Sequence, residues 1–408
     1  MVLTTLFGLL SVLVLLGVLV LAVPAWVLWR QVHAACQGRD ALPPPADDAA
    51  PREPVAVLIP AHNESAVIES TLRSLMPQLR PGDAVWVVAD NCTDDTAALA
   101  RACGAHVTER FDTVRRGKSF ALAHGVALLR SQPVPPRWVV FFDADCQVHP
   151  HTLDRLAQAC QREQRPVQAL YLMQQPPAAP GQVHGWRPHL AEFAWRVRNW
   201  VRPLGAQRLG WPCQLMGTGM AFPLALLDDA LLAHGHITED MKLGIDLALA
   251  GHAPLFLPTA LVTSSFPTTQ AATRTQRTRW EHGHLDMLLH QAPALWREGW
   301  RRGDRAAMGL ALDLCVPPLA LFTGLLGLGW WVALALGWLG GSWLPLGVAT
   351  VSLMGLLSAI TRAWRGWGRE VMAGRELLMV PLFILAKVPI YLGFVLRRQT
   401  RWIRTDRS

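Results

Sequence analysis

No Cys-x-x-Cys pair and no zinc-ligand spacing occur among the seven cysteines, Cys36, Cys92, Cys103, Cys146, Cys160, Cys213 and Cys315. Their absence argues against a structural zinc or a disulfide framework and for a reducing compartment. Charge is also missing from the start of the chain, where nothing ionisable precedes Arg30. Met1 to Trp29 is almost wholly apolar, and a transmembrane helix needs about 20 such residues. A signal peptide has a basic start and a shorter apolar core, and this segment has neither. With positive charge only on its far side, the helix is expected to run from outside to inside.

The 408 residues are 51% hydrophobic and carry a net charge of +8. Mean hydropathy is +0.23 and the isoelectric point is near 9.6. The apolar excess sits at the two ends. Arginines flank the apolar spans, as the positive-inside rule and anionic headgroups require, so no nucleic-acid partner is expected. At the carboxyl end an apolar run closes near Leu339, preceded by Arg297, Arg301, Arg302 and Arg305. Leu344 to Ile360 returns to Arg362, Arg365 and Arg369. Leu377 to Leu396 is either a further span or a kinked, re-entrant segment: it contains Lys387, which costs roughly 2.5–3.5 kcal/mol at a bilayer centre, and also Pro381 and Pro389.

The middle alternates strands and helices. Pro54–Pro60 is a short apolar run, as is Ala84–Ala89, and each ends in polar residues, His62-Asn63-Glu64 and Asp90-Asn91. Helical stretches follow each, and Arg115-Arg116-Gly117-Lys118-Ser119 opens another helix running to about Arg130. The pattern predicts a mostly parallel sheet with one ligand-binding edge. Val167–Met173 and Ala253–Val262 are further expected strands. His189 to Leu204 places Leu190, Phe193, Val197, Val201 and Leu204 on one stripe, suiting either a membrane-surface helix or one packed on the sheet.

Trp138–Phe142 runs straight into Asp143-Ala144-Asp145. Two carboxylates at a strand end repel each other unless a positive group lies between them, and a hard divalent cation gripping phosphates would meet that need. A solvated turn has the same residue types. Cys146 beside Asp145 lacks a basic partner in sequence and is not expected to act as a thiolate. Gly217 and Gly219 bracket Thr218 before an apolar strand, and glycine permits close backbone approach to a ligand. Thr238-Glu239-Asp240 heads a helix, with Thr238 at the N-cap and acids in the first turn, which is good helix chemistry in itself. Gln276, Arg279 and Trp280 share one helix face by i, i+3, i+4 spacing.

Taken in order, Ile59-Pro60-Ala61-His62-Asn63-Glu64, Asp90, Gly117-Lys118, Asp143-Ala144-Asp145, Gly217-Thr218-Gly219, Thr238-Glu239-Asp240 and Gln276-Arg277-Thr278-Arg279-Trp280 resemble the membrane-bound family 2 glycosyltransferases. The likeness is to the branch containing cellulose, chitin, hyaluronan and poly-N-acetylglucosamine synthases. It covers about Pro54 to His284. The resemblance implies an α/β, GT-A (Rossmann-like) domain flanked by transmembrane helices. Expected boundaries are a span at 1–30, a linker at 31–53, the cytoplasmic catalytic domain at 54–285, an interfacial region at 286–312 and a membrane region at 313–408.

The resemblance also implies roles. Pro60, Asn63, Glu64, Asp90, Lys118, Asp143, Gln276, Arg277 and Arg279 bind the nucleotide-sugar, with the two arginines on the leaving diphosphate. Asp143 and Asp145 hold Mg2+ or Mn2+. Asp240 is the general base, with Glu239, Arg279 and Trp280 completing the catalytic set. Gly217, Thr218, Gly219, Thr238 and Trp280 shape the acceptor side. The chemistry asks for these types independently, because the leaving diphosphate needs cations and the attacking hydroxyl needs a base. Processive synthases usually carry more membrane helices, so the expected activity is transfer of one sugar from a UDP-sugar to a polyprenyl-linked saccharide in surface polysaccharide assembly. A processive β-polysaccharide synthase acting on its growing glycan is the alternative, followed by a ceramide-type lipid glucosyltransferase and a non-catalytic scaffold. The expected location is a bacterial-type inner membrane, multi-pass, among membrane lipids.

Overall fold

The computed structural model describes residues 2–37, 50–176, 185–233, 238–267 and 269–396. Residues 38–49 of the expected 31–53 linker and residues 397–408 of the expected membrane region lie outside them. Among the described residues eight strands form one mixed sheet in the order β3-β2-β1-β4-β7-β6-β8-β5. They are β1 (Ala56–Ala61), β2 (Ala84–Asp90), β3 (His106–Arg110), β4 (Trp138–Phe141), β5 (Cys146–Val148), β6 (Val167–Gln174), β7 (Met220–Pro223) and β8 (Leu255–Ser265). β3, β2, β1 and β4 run parallel. β7 is antiparallel to both β4 and β6, and β5 is antiparallel to β8, while β6 and β8 are parallel.

Strands buried on both faces read as continuous apolar runs, and β1 shows why. Val57 and Ile59 point to one face, packing with Ile68, Leu72, Leu75, Leu153 and Leu156. Ala56 and Leu58 point to the other, against Ala121, Leu122 and Val126 of the Lys118–Arg130 helix. Period-two alternation thus feeds two separate cores from one strand. Two strands escaped the sequence reading. β3 is an edge strand, His-Val-Thr-Glu-Arg, with no buried residue, and β5 spans only three residues.

Among the described residues four helices are long and apolar enough to cross a membrane: Thr5–Cys36, Leu319–Trp338, Leu344–Gly368 and Gly374–Leu396. The first continues past Arg30 to Cys36, because Val32 and Ala35 are buried and Arg208 Nη1 donates to the carbonyls of Ala34 and Ala35 (3.1 and 2.6 Å). The 31–53 linker therefore begins as helix. The expected start of the next region at 313 falls inside a helix, Arg305–Leu314, and the span opens only after Pro317-Pro318, at Leu319. Proline favours such a break, since it lacks the N–H and restricts the residue before it. The Ala292–Arg302 helix buries Ala292, Leu295 and Gly299 and exposes Trp296 and Trp300.

The Trp186–Arg208 segment is helical with a wide π-type turn at Val197–Val201. Its stripe, Leu190, Phe193, Val197, Val201 and Leu204, lies between Leu170, Leu172 and Phe256 of the sheet and Val27, Leu28 and Val32 of the first span. Of the two alternatives for this helix, packing on the sheet is the one seen, with the first apolar helix on its other side. At Gly205 a Cβ would stand 1.9 Å from the Gln31 carbonyl oxygen, so any side chain there would separate the domain from that helix. Val380–Leu396 stays helical through Pro389. Its Lys387 is ion-paired with Glu281, whose other oxygen accepts from the Tyr391 hydroxyl at 3.3 Å.

Candidate active site

The carboxyl ends of β1, β2 and β4 open into a cavity of about 1080 Å³, the edge where ligands gather in such sheets. Pro60, Asn63 and Glu64 line it from β1, Asp90 from β2, and Asp143 and Asp145 from β4. The β1 and β2 loops are tied together. His62 Nδ1 donates to the Asp90 carbonyl at 2.6 Å, Asn63 Oδ1 accepts from the Thr93 backbone N–H at 2.7 Å, and Glu64 N–H donates to Thr96 Oγ1 at 2.8 Å. Asp90 is buried and its Oδ1 accepts from Arg110 Nη1 at 2.6 Å and Asn91 Nδ2 at 3.0 Å. Nearby, burial opposes the charge of Asp94, but hydrogen bonds from Thr96 and Ser65 outweigh it and hold the carboxyl down to about 2.

A positive group beside the first of the two carboxylates is Lys118. Its Nζ pairs with Asp143 and donates to the Gly217 carbonyl at 2.7 Å. Burial alone would lower its pKa, but Asp143, Glu239 and Asp240 reverse that and raise it. Gly217, at φ +91°, would bring a Cβ to 3.4 Å from both Asp240 Oδ2 and Lys118 Nζ, so this left-handed turn brings base, lysine and backbone together. Asp143 is thus already neutralised. Asp145 also lines the cavity, while no group of three or more metal-ligating side chains occurs among the described residues. The pair still fits Mg2+ or Mn2+, since such ions are held by one or two carboxylates together with substrate phosphates.

Thr218 and Gly219 do not face the cavity. Thr218 is fully buried, its Oγ1 accepting from the Asp143 N–H at 3.0 Å and donating to Cys146 Sγ at 3.7 Å. It supports the Asp-Ala-Asp turn rather than an acceptor. Gly219 joins strands: its N–H donates to the Phe141 carbonyl at 2.9 Å, and its carbonyl accepts from Ala169 N–H at 2.8 Å. Burial, reinforced by Asp143, pushes the Cys146 thiol up to about 12, which removes it as a nucleophile.

On the far wall stand Thr238, Glu239 and Asp240, together with Gln276, Arg279 and Trp280 of the Gln270–Asp286 helix. Thr238 makes no side-chain cap bond to its helix. Instead its methyl would lie 2.3 Å from a Cβ at Gly283, so the two helices dock through a missing side chain. Asp240 Oδ1 accepts from the Met241 N–H at 2.8 Å. Burial and mutual repulsion push the Glu239 carboxyl up to about 7, and burial likewise raises Asp240. Arg277 does not line this cavity. It faces a smaller one towards the candidate spans, since a residue one position from Gln276 points about 100° away around a helix.

Residues that sequence reasoning left aside complete the wall: Trp195, Arg198, Arg202, Gln214 and Asp313. Trp280 packs on Trp195, with ring centroids 4.8 Å apart. Arg202 Nη2 donates to Asp313 Oδ1 at 2.8 Å, which also accepts from Gln31 Nε2 at 2.6 Å. Arg198 lies 6.0 Å from the Trp195 centroid and has no ion pair among the described residues. The only signal for it in sequence was its place off the apolar stripe.

A nucleotide-sized cavity at strand ends, acids beside a lysine and an arginine-bearing helix define a nucleotide-sugar transferase site of GT-A type. The profile of the family described as "Glycosyltransferase like family 2" matches residues 51–283, and the chain belongs to that family. The probable glycosyltransferase YdaM of Bacillus subtilis (strain 168) is 27% identical over 263 residues, 58% of this chain and 56% of the relative. The chain thus matches just over half the length of that curated relative. The mannosyltransferase PcManGT from Pyrobaculum calidifontis, solved with GDP-Man and Mn2+, is 16% identical with a TM-score of 0.51, covering 94% of this chain and 100% of that one. Glucosyl-3-phosphoglycerate synthase from Mycobacterium tuberculosis, solved with Mn2+, UDP and glucosyl-3-phosphoglycerate, is 22% identical over 58% of this chain and 81% of that one, with a TM-score of 0.36. The family match and the likeness to PcManGT establish the GT-A fold.

Proposed function

We propose that this nucleotide-sugar transferase moves one sugar from a UDP-sugar onto a polyprenyl-linked saccharide at the inner face of a bacterial-type plasma membrane, in surface polysaccharide assembly, leaving a β-linkage. The observation that carries this reading is the meeting of Asp240, Lys118, Asp143 and Gly217 in a cavity whose far wall, at Asp313, is hydrogen-bonded to Gln31 of the first candidate span. Asp90 takes the uracil or ribose, with Pro60, Asn63 and Glu64 shaping that end. Lys118 and Gln276 sit towards the sugar-diphosphate. Asp240 accepts the acceptor hydroxyl's proton while that oxygen bonds to the anomeric carbon and the bond to the diphosphate breaks. Arg279 neutralises the charge gathering on the leaving diphosphate. Asp145, with Asp143 beside it, would hold Mg2+ or Mn2+, which supplies further neutralisation of the diphosphate. A single base and no covalent nucleophile means one displacement, hence inversion. Burial raises the basicity of Asp240, Glu239 stands beside it, and the Trp280 indole offers an apolar face to an acceptor sugar.

Gln276, Arg279 and Trp280 lining one wall together favour a second reading, a processive synthase of the cellulose, chitin, hyaluronan and poly-N-acetylglucosamine branch. Membranes containing the protein, given labelled UDP-glucose, UDP-N-acetylglucosamine, UDP-galactose or GDP-mannose, are expected to yield a lipid-soluble product one sugar longer than the acceptor. A ladder or high polymer on a sizing gel would establish the processive reading instead, and label appearing on ceramide would point to a lipid glucosyltransferase. Full activity in excess EDTA would remove the metal from Asp143 and Asp145.

A further inference from the structure

We propose that a second cavity, at the join between the globular domain and the candidate spans, seats the phosphate of a membrane lipid, with Arg198 and Arg277 as its anion-binding groups. The inference rests on the lipid-linked acceptor reading and deepens it by placing the headgroup. This cavity, about 110 Å³ in volume, is walled by Leu28 of the first apolar helix, Leu319 at the start of the second and Phe383 of the fourth. Four cations also reach it. Two are satisfied: Arg202 by Asp313 and Lys387 by Glu281. The other two are not. Arg198 makes no ion pair among the described residues, donating to the Met241 sulfur at 3.9 Å and lying over the Trp195 face, and Arg277 makes none either; Glu281, whose field reaches both, is already paired with Lys387.

Two half-buried guanidinium groups beside apolar walls are costly unless an anion joins them, and the guanidinium fork suits phosphate oxygens. A soluble phosphate would gain nothing from Leu28, Leu319 or Phe383, whereas a lipid phosphate satisfies the arginines and lays its first apolar groups on those walls. Trp195, Arg198, Arg202 and Trp280 line both cavities. A headgroup held by Arg198 and Arg277 therefore presents whatever sugar it carries to Trp280 and Asp240. The family resemblance assigned Arg277 to the nucleotide's diphosphate, and its position argues instead for the lipid's phosphate.

The test is equilibrium binding of labelled polyprenyl phosphate to the detergent-purified full chain, with UDP binding measured by calorimetry on the same samples. The wild type is expected to retain polyprenyl phosphate against excess phosphatidylcholine and against inorganic phosphate. Arg277→Gln and, separately, Arg198→Gln are each expected to weaken lipid binding by about tenfold or more, as loss of a charge-assisted contact does. Arg277→Lys should recover part of that loss, and UDP affinity should stay within about twofold for Arg277→Gln. Unchanged lipid binding in both glutamine variants overturns the proposal. Complete competition by inorganic phosphate assigns the site to a soluble anion, and loss of UDP rather than lipid binding returns Arg277 to the diphosphate. If the wild type binds lipid but no nucleotide or nucleotide-sugar, the donor reading fails while the lipid site stands.

Discussion

The two walls of the large cavity are built differently. On the β1–β2 side the charged groups named are closed among themselves: Asp90 on Arg110, Arg110 also on Asp112, and Asp94 on Thr96 and Ser65. On the membrane side Arg198 and Arg279, like Arg277 of the adjoining smaller cavity, make no ion pair among the described residues, and Arg198 lies within the wide turn at Val197–Val201. A neutral nucleoside moiety is best met by a preformed pocket of oriented polar groups. Diphosphate and lipid phosphate bring their own charge, so the wall that receives them carries unmatched cations. On the proposed reading, the closed wall takes the nucleoside and the open wall the phosphates.

Substitution at the meeting point of the two walls gives the largest expected effect. Asp240→Asn removes the base but keeps shape and its Met241 contact, so kcat should fall by about 10²–10⁴-fold. UDP affinity, set on the other wall, should hold. Loss of UDP binding together with turnover would show that the walls are not independent. Unchanged turnover would remove Asp240 as the base.

Next in size is the Glu281–Lys387 pair, which fixes the membrane-side wall. Lys387→Met leaves the buried Glu281 with the Tyr391 hydroxyl and the more distant charges of Arg198 and Arg277, and breaking one side of a buried pair costs about 3–5 kcal/mol. The Gln276–Trp280 helix also depends on His282 Nε2 donating to the Ile390 carbonyl at 2.9 Å. The variant should therefore loosen the acceptor wall, raising acceptor KM more than donor KM and lowering the unfolding midpoint. Glu281→Gln together with Lys387→Met should recover much of the stability, since no buried charge is left over. A double variant no more stable than the single one would show that the pair is not a closed unit.

This membrane-side wall was also the less legible half in sequence. Apolar runs ending in polar residues located β1, β2 and β4, because hydrophobicity along the chain reports burial directly. Helical spacing grouped Gln276, Arg279 and Trp280, and the same spacing left Arg277 off that face. Arg198 could not be found this way. A cation off an apolar stripe reads as solvated unless one knows that Trp195, Trp280 and the spans close over it, and that closure is tertiary. Thr218 illustrates the opposite error: its motif position suggested a ligand contact, whereas its hydroxyl holds the Asp143 turn. β3, with no buried residue, carries no hydrophobic pattern to detect.

Titration sharpens the contrast between the walls with the smallest expected effect. Asp94, on the closed wall, is held at about 2 against an ordinary 3.8. The stability it contributes is present above 3.8 and is lost as pH falls through about 2, far from working pH. Glu239, on the open wall, is raised from 4.5 to about 7 and shares its field with Asp240. Here the sign reverses, because the folded chain keeps a proton that the unfolded chain has released, so this group's contribution to stability declines as pH rises from 4.5 to 7. Catalysis runs the other way, since proton removal needs the acidic pair ionised. Turnover at saturating donor should fall about tenfold per unit below pH 7, while UDP affinity stays flat down to about pH 5. Glu239→Gln removes the carboxyl that titrates at about 7 and should shift the acid limb to lower pH. An acid limb that does not move in this variant would place the titrating group elsewhere in the cavity.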